Sequence, residues 1–269
     1  MLSYLFIRTN CEVCDYCEME GAEKRAHRFI HIWNTDVKID GRIDTVIETL
    51  RRQKADVMCL QEVTEESFRL MQVQFPHMHG ILEESTQLAV FCKFPLKHVE
   101  KLPFGIAISV TVQGEMVNVT NLHLPWNSAL NRERAIVEIQ KYTDQRTGMS
   151  ILAGDFNCSA DSSVHRYLKG EQSLLNTDAC WFDLAESYAE IHGTTPENTV
   201  DFRNNTRWGK VQDINTIEKN QRFDRILLRN PYPEAFPVLE KFEVFGKEIC
   251  HEIGIMPSDH YGVMVQMSL

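Results

Sequence analysis

No apolar run in the 269 residues approaches the length that a helix needs to cross a bilayer, so no transmembrane helix is read. Basic residues are in deficit. Lys and Arg number 28 against 38 Asp and Glu, a formal net charge of −10. So acidic a chain is a poor candidate for coating a polyanion non-specifically, although a local basic groove or an acidic site built for metal ions is compatible with it. No Pro- or Gly-rich stretch, internal repeat or low-complexity tract interrupts the chain after residue 27. No GxxxxGK[ST], GxGxxG or HExxH pattern occurs, and His251-Glu252 lacks the second histidine of a zinc protease helix. Ser258 stands beside Asp259-His260. Neighbouring residues on an extended chain point to opposite faces, so these three cannot form a nucleophile relay.

Cysteine is present but forms no framework. Of eight, Cys11, Cys14 and Cys17 are evenly spaced near the start and the rest are scattered, with Cys59 inside an apolar run. This argues for a reducing, intracellular setting, cytoplasmic or nuclear. The three early cysteines could ligate zinc as thiolates. A closed zinc site wants four ligands, however, and the next candidate, His27, lies ten residues on. A flexible Cys-containing extension over residues 1–27 is the simpler reading. The apolar start ends at Arg8, with no basic segment ahead and no small-residue cleavage pattern after, so no signal peptide is expected.

What is there is ordinary globular composition: 43% hydrophobic and 25% charged residues, in a chain long enough to bury a core without staples. Residues 28–269 read as one domain. Short strands are expected at 29–34, 56–63, 88–91, 106–112, 116–124, 150–153, 223–228 and 261–267. Helical spacing recurs at Ile43, Val46, Ile47 and Leu50. Helices are also expected at 131–146 and 161–168, the latter capped by Asp161 or Ser162. Residues 193–221 read as a polar loop. Strands outnumber helices and several are hairpin-joined, which favours a mainly antiparallel α+β sandwich over an alternating parallel fold.

Several of these strands end on a residue competent for metal or acid–base work. Asn34, Glu62, His123, Asp155 with Asn157, and Asp259-His260 all stand at strand ends, and Asp224 lies within its strand. One rim of a sheet can gather such groups on rigid supports. Each alone has a bland reading: a turn-forming Asn, a solvated Glu, an Asx-turn at Asp155, a core His123, or Asp224 paired with Arg222 or Arg225. Together, and in this order, they are hard to dismiss.

The segments Trp33-Asn34, Leu60-Gln61-Glu62-Val63, Asn121-Leu122-His123-Leu124, Gly154-Asp155-Phe156-Asn157, Arg222-Phe223-Asp224-Arg225-Ile226 and Ser258-Asp259-His260 resemble the endonuclease/exonuclease/phosphatase superfamily, with its DNase I-like fold. Within it, Thr199-Val200-Asp201, residues 222–228 and residues 257–262 look most like the 5′-tyrosyl-DNA phosphodiesterase branch. Val200 and Ile32 stand where that branch has Trp and Thr. The resemblance implies a four-layer α/β sandwich, two mainly antiparallel sheets flanked by helices, hydrolysing phosphoesters with Mg²⁺ or Mn²⁺. Glu62, Asn34 and Asp259 would hold the metal, a hard cation suited to oxygen donors. Asp155 and Asn157 would orient the attacking water. His260, held by Asp224, would donate to the phosphoryl oxygens, and His123 would contact the phosphate or the leaving oxygen.

Trp126, Arg203, Arg207 and Trp208 are the candidate substrate contacts, an Arg/aromatic mix suited to nucleic acid; loop packing is the competing reading. Arg132 and Arg134 could grip phosphate or form a solvated helix face. The leading expectation is a metal-dependent phosphodiesterase on nucleic acid, acting as a nuclease or in DNA repair on blocked 5′ ends, with no obligate protein partner. The alternatives are the same chemistry on a lipid or sugar phosphate, and a silent scaffold.

Overall fold

The computed structural model describes residues 42–208, 217–251, 254 and 256–268. The 1–27 extension, the expected strand at 29–34 and Asn34 lie outside the described residues. The elements run α1 (Arg42–Arg52), β1 (Val57–Leu60), α2 (Glu65–Gln74), β2 (His79–Glu83), β3 (Leu88–Cys92), β4 (His98–Leu102), β5 (Gly105–Val112) and β6 (Glu115–His123). They continue with α3 (Ala129–Asp144), β7 (Met149–Asp155), α4 (Ser163–Leu168), β8 (Trp181–Asp183), α5 (Leu184–His192), β9 (Asp224–Arg229), β10 (Val238–Phe245) and β11 (Gly262–Ser268).

Six strands form one sheet in the order β4-β5-β6-β7-β9-β8. All its pairings are antiparallel except β6–β7, which α3 joins as a parallel crossover. The β5–β6 hairpin turns through Gln113 and Gly114, both at positive φ (50° and 92°), a turn whose twist suits the flanking strands. Facing this sheet are two smaller ones, β1-β3-β2 and β10-β11. Among the described residues the second layer holds both groups of strands, each antiparallel throughout.

Period-two alternation divides the core. Ile106, Ile108, Val117, Val119, Ile151, Ala153, Ile226 and Leu228 point between the sheets, with β1, β3 and β11 opposite. Leu122, Leu152 and Leu227 point the other way, onto Ile136 and Ile139 of α3 and Val164 and Leu168 of α4. Val46, Ile47 and Leu50 of α1 and Phe68 and Met71 of α2 pack on the smaller sheet. The result is a four-layer α+β sandwich. Among the described residues no helix is long and apolar enough to cross a membrane. Cys59, Cys92, Cys158, Cys180 and Cys250 are free thiols.

Candidate active site

Strand register builds the site. His123 stands opposite Asp155 across β6–β7, and Asp155 opposite Asp224 across β7–β9. The three therefore form a row at one rim, on the sheet face that looks into the inter-sheet space, two residues beyond the buried Asn121, Ala153 and Ile226. The strand spacing is tight because residue 154 is glycine. Its φ is 141°, and a Cβ there would lie 1.9 Å from the carbonyl oxygen of Leu122.

The fourth member arrives from β11. Residues 199–200 stitch its approach to that of β9: Tyr261 N–H donates to Thr199 O at 2.7 Å. Thr199 Oγ1 accepts from the N–H groups of Phe223 and Asp224 at 3.1 and 3.2 Å. His260 Nδ1 is thereby held 2.9 Å from Asp224 Oδ2. Asp155, Asp224 and His260 have ligand-type atoms within 4.8 Å of one another. The bland pairing of Asp224 with its neighbours does not occur. Arg222 turns to Asp183 and Glu186, and Arg225 to Cys158 O.

From the facing sheet comes Glu62, just past β1, in the left-handed region at φ 54°. Two buried amides tie the sheets together beneath it. Asn121 Nδ2 donates to Leu60 O and Ala89 O at 3.0 and 2.9 Å, and Gln61 Nε2 donates to Asn121 Oδ1. The sequence reading gave these amides no role, although both lie inside quoted motif segments. Asn157, also left-handed at φ 47°, donates its backbone N–H to Asp155 Oδ1 at 2.7 Å and its side-chain amide to Leu124 O at 2.9 Å.

The charges divide cleanly. Burial, then the charge of Asp224, pushes the Asp155 carboxyl up to about 7. Burial alone would lower His260, but the charge and hydrogen bond of Asp224, with Asp259 and Asp155 behind, outweigh it and hold the imidazole at about 9. Burial lowers His123 to about 4 against the pull of Glu62, so it is neutral at pH 7. Its Nε2 lies 3.6 Å from Asp155 Oδ2. Asp259 is fully buried and raised by that burial. Its Oδ1 accepts from Ser258 Oγ at 3.2 Å, while Oδ2 is buried with no hydrogen-bond partner.

A buried carboxylate oxygen without a donor suits a hard cation, as does a donor set of carboxylates. Asp259 fits a divalent metal on this ground, and Glu62, whose charge is felt at Asp259, offers a second carboxylate. The Asp155–Asp224–His260 grouping does not, because its imidazole is protonated and engaged with Asp224.

The candidate substrate contacts separate. Trp126 is 77% exposed, on a loop pinned by Leu124 N–H to Asp155 O and by Arg132 to Pro125 O and Trp126 O. Arg132 thus braces the loop. Trp208 packs on Phe202 at 4.7 Å and donates Nε1–H to Asp259 O at 2.9 Å, so it forms a wall of the site. Arg207 is half-buried, and its backbone N–H donates to Asn205 Oδ1, whose amide in turn donates to Asp259 O. Arg203 is exposed at a turn capped by Asp201, and among the described residues no contact ties it to the carboxylates.

A sandwich with an acid–histidine rim between its sheets defines a class of phosphoric ester hydrolases. The chain belongs to the endonuclease/exonuclease/phosphatase family, whose family model matches residues 32–260. No curated protein matches it by sequence. Among solved structures it is similar to a humanized D. rerio TDP2, at 17% identity and TM-score 0.67, covering 90% of this chain and 97% of that one. It is also similar to D. rerio TDP2 complexed with single strand DNA product, at 16% identity and TM-score 0.68, covering 87% and 95%. An endonuclease/exonuclease/phosphatase from Bacteroides vulgatus matches at 14% identity and TM-score 0.61, covering 83% and 88%. At these identities the likeness shows the shared fold.

Proposed function

We propose that this protein is a Mg²⁺- or Mn²⁺-dependent phosphodiesterase that cleaves nucleic acid, with 5′-blocked single strands as its substrate class. The observation that carries the reading is the rim itself. A buried base raised to about 7 stands opposite Asp224 across two adjacent strand ends, and Asp224 holds an imidazolium at about 9 close beside it.

Asn34, Glu62 and Asp259 would hold the cation, which when bound polarises the phosphoryl group and offsets charge on the leaving oxygen. Asp155 orients the attacking water and takes its proton; a base with a pKa near the working pH serves this best. Asn157 fixes the Asp155 carboxylate through its N–H and braces the loop that carries Trp126. Asp224 keeps His260 charged and aimed. His260 then donates from Nε2 to a phosphoryl oxygen as negative charge builds. Neutral His123 contacts the phosphate beside the leaving oxygen. Attack is in line, without a covalent intermediate.

Nucleic acid is favoured over a small phosphoester by Trp126, an exposed ring on a braced loop next to Asp155, suited to base stacking. The structural neighbour that holds a single strand DNA product supports the same reading. The intact set of Glu62, Asp155, Asp224 and His260 argues against a silent scaffold.

The test is a panel of 5′-blocked and unblocked DNA and RNA oligonucleotides, inositol phosphates and sphingomyelin, each with Mg²⁺ or Mn²⁺. Preferred turnover of 5′-blocked single strands is expected. Turnover confined to the lipid or inositol arms would remove nucleic acid from the reading.

A further inference from the structure

The hairpin that joins β4 to β5 turns through two residues, Pro103 and Phe104, since Leu102 pairs with Gly105. Two-residue hairpins are best served by turns rich in glycine and asparagine, whose twist suits the strands. Here proline fixes the first position, and Phe104 follows at φ 57°, in the left-handed region. After proline, that second position is one where glycine or asparagine is the low-energy choice. Among the described non-glycine residues at positive φ, Phe104 is the one aromatic. Two of the others, Glu62 and Asn157, stand at the site already described.

Packing does not account for the ring. Phe104 is 39% exposed and belongs to neither apolar cluster, although Leu102 beside it packs on the helix side of the sheet. A strained, partly exposed aromatic weakens the turn without adding to the core. Such outliers gather where function requires them. Its place in the sheet says what it meets. Phe104 O accepts from the N–H of His123 at 3.0 Å. In the strand order β4-β5-β6-β7-β9 the turn therefore lies beside His123, on the side away from Asp155. The rim reads Phe104, His123, Asp155, Asp224. Trp126, another exposed ring, lies three residues beyond His123.

We infer that Phe104 is a substrate contact, a stacking surface for a nucleobase of a single strand that crosses the rim over His123. The inference rests on the reading of this rim as a nucleic-acid-cleaving site, and adds a contact on the β4–β5 side to that of Trp126. A chain of net charge −10 has few cations for a polyanion, and a flat ring holds a base of any sequence.

The test is fluorescence anisotropy of a labelled DNA single strand with the full chain in chelator, where metal-dependent cleavage does not run. Phe104→Gly should weaken binding at least about fivefold. Phe104→Leu, which keeps the bulk and lacks the flat face, should also weaken it, and Phe104→Tyr should retain it. An abasic strand of the same length offers the phosphates without the bases, and wild type and Phe104→Gly should bind it alike. Phe104→Gly should melt no lower than wild type, because glycine takes this φ at no steric cost. Should that variant fail to fold, Phe104→Leu decides the matter. Wild-type affinity in both variants, an equal loss for the abasic strand, or no single-strand binding by the wild type would overturn the contact. Binding that falls with the ring in a protein that hydrolyses no phosphoester would uphold the contact and remove the hydrolase reading. Hydrolysis of nucleic acid by variants of unaltered affinity would do the reverse.

Discussion

Asp155 is fully buried, and its Oδ1 accepts from the backbone N–H of Asn157. Burial and the Asp224 charge raise it to about 7, so activity should climb through that region and fall again as His260 loses its proton near 9. The same shift has a stability consequence. A carboxyl whose folded pKa lies above its unfolded value favours folding while protonated. That contribution is complete below the ordinary 3.8 and is lost as pH rises through about 7. Above that, the buried charge is a burden on the fold. Asp155→Asn keeps an acceptor for Asn157 and removes the charge. The variant should lose at least about 100-fold in kcat. In metal-free buffer it should melt higher than wild type at pH 8, with the advantage shrinking towards pH 4. Thermal unfolding at the two pH values checks the sign; a variant less stable at pH 8 would show that Asp155 supports the fold.

At the scale of elements, the rim depends on two devices outside it. Gly154 lets β7 lie against β6, and an added Cβ would meet backbone that cannot move aside. Gly154→Ala should therefore destabilise the fold by about 3 kcal/mol or more and displace His123 and Asp155 together, read by denaturant unfolding and by lost activity. Behind β9, Arg222 bonds Asp183 at 2.6 Å and Glu186 at 2.8 Å, while Asp183 caps the start of α5 through Ala185 N–H at 3.0 Å. Arg222→Met removes the closest partner of that buried carboxylate, leaving Arg225 Nε and His165 Nε2 each 3.7 Å from it, and should cost about 3 kcal/mol in the same experiment, with α5 loosened from the edge of the large sheet. Much of this scale was legible in sequence. The alternation of β5, β6 and β7 and the spacing of α1 mark one buried face each. Elements without such a face were not legible. Strand β4 is exposed through its middle, α2 buries only Phe68 and Met71, β8 spans three residues, and β10 is an edge strand of mixed burial.

Across the whole molecule, the motif segments identified strand ends but not which rim they share. That follows from register and from the 199–200 stitch, and both are long-range. His123, Asp155, Asp224, His260, Glu62 and Asp259 could be named from sequence because each sits at or near the end of an apolar run. The net charge of −10 bears on substrate binding as a whole. A chain this acidic offers few cations to phosphates, so affinity for a single strand should fall with salt at a log–log slope of about −0.7 for each phosphate met, far shallower overall than for a protein with a basic surface. A slope several times steeper would point to a wider basic footprint. The central claim is that this acid–histidine rim hydrolyses phosphodiesters with a divalent cation. The most direct measurement is the rate of cleavage of bis-p-nitrophenyl phosphate against Mg²⁺ and Mn²⁺, for wild type, Glu62→Ala and His260→Ala. Saturable metal-dependent turnover is expected in the wild type, and a loss of at least about 100-fold in both variants, each still folded by circular dichroism. Turnover at the wild-type rate in either variant, or turnover indifferent to both metal ions and to chelator, would contradict it.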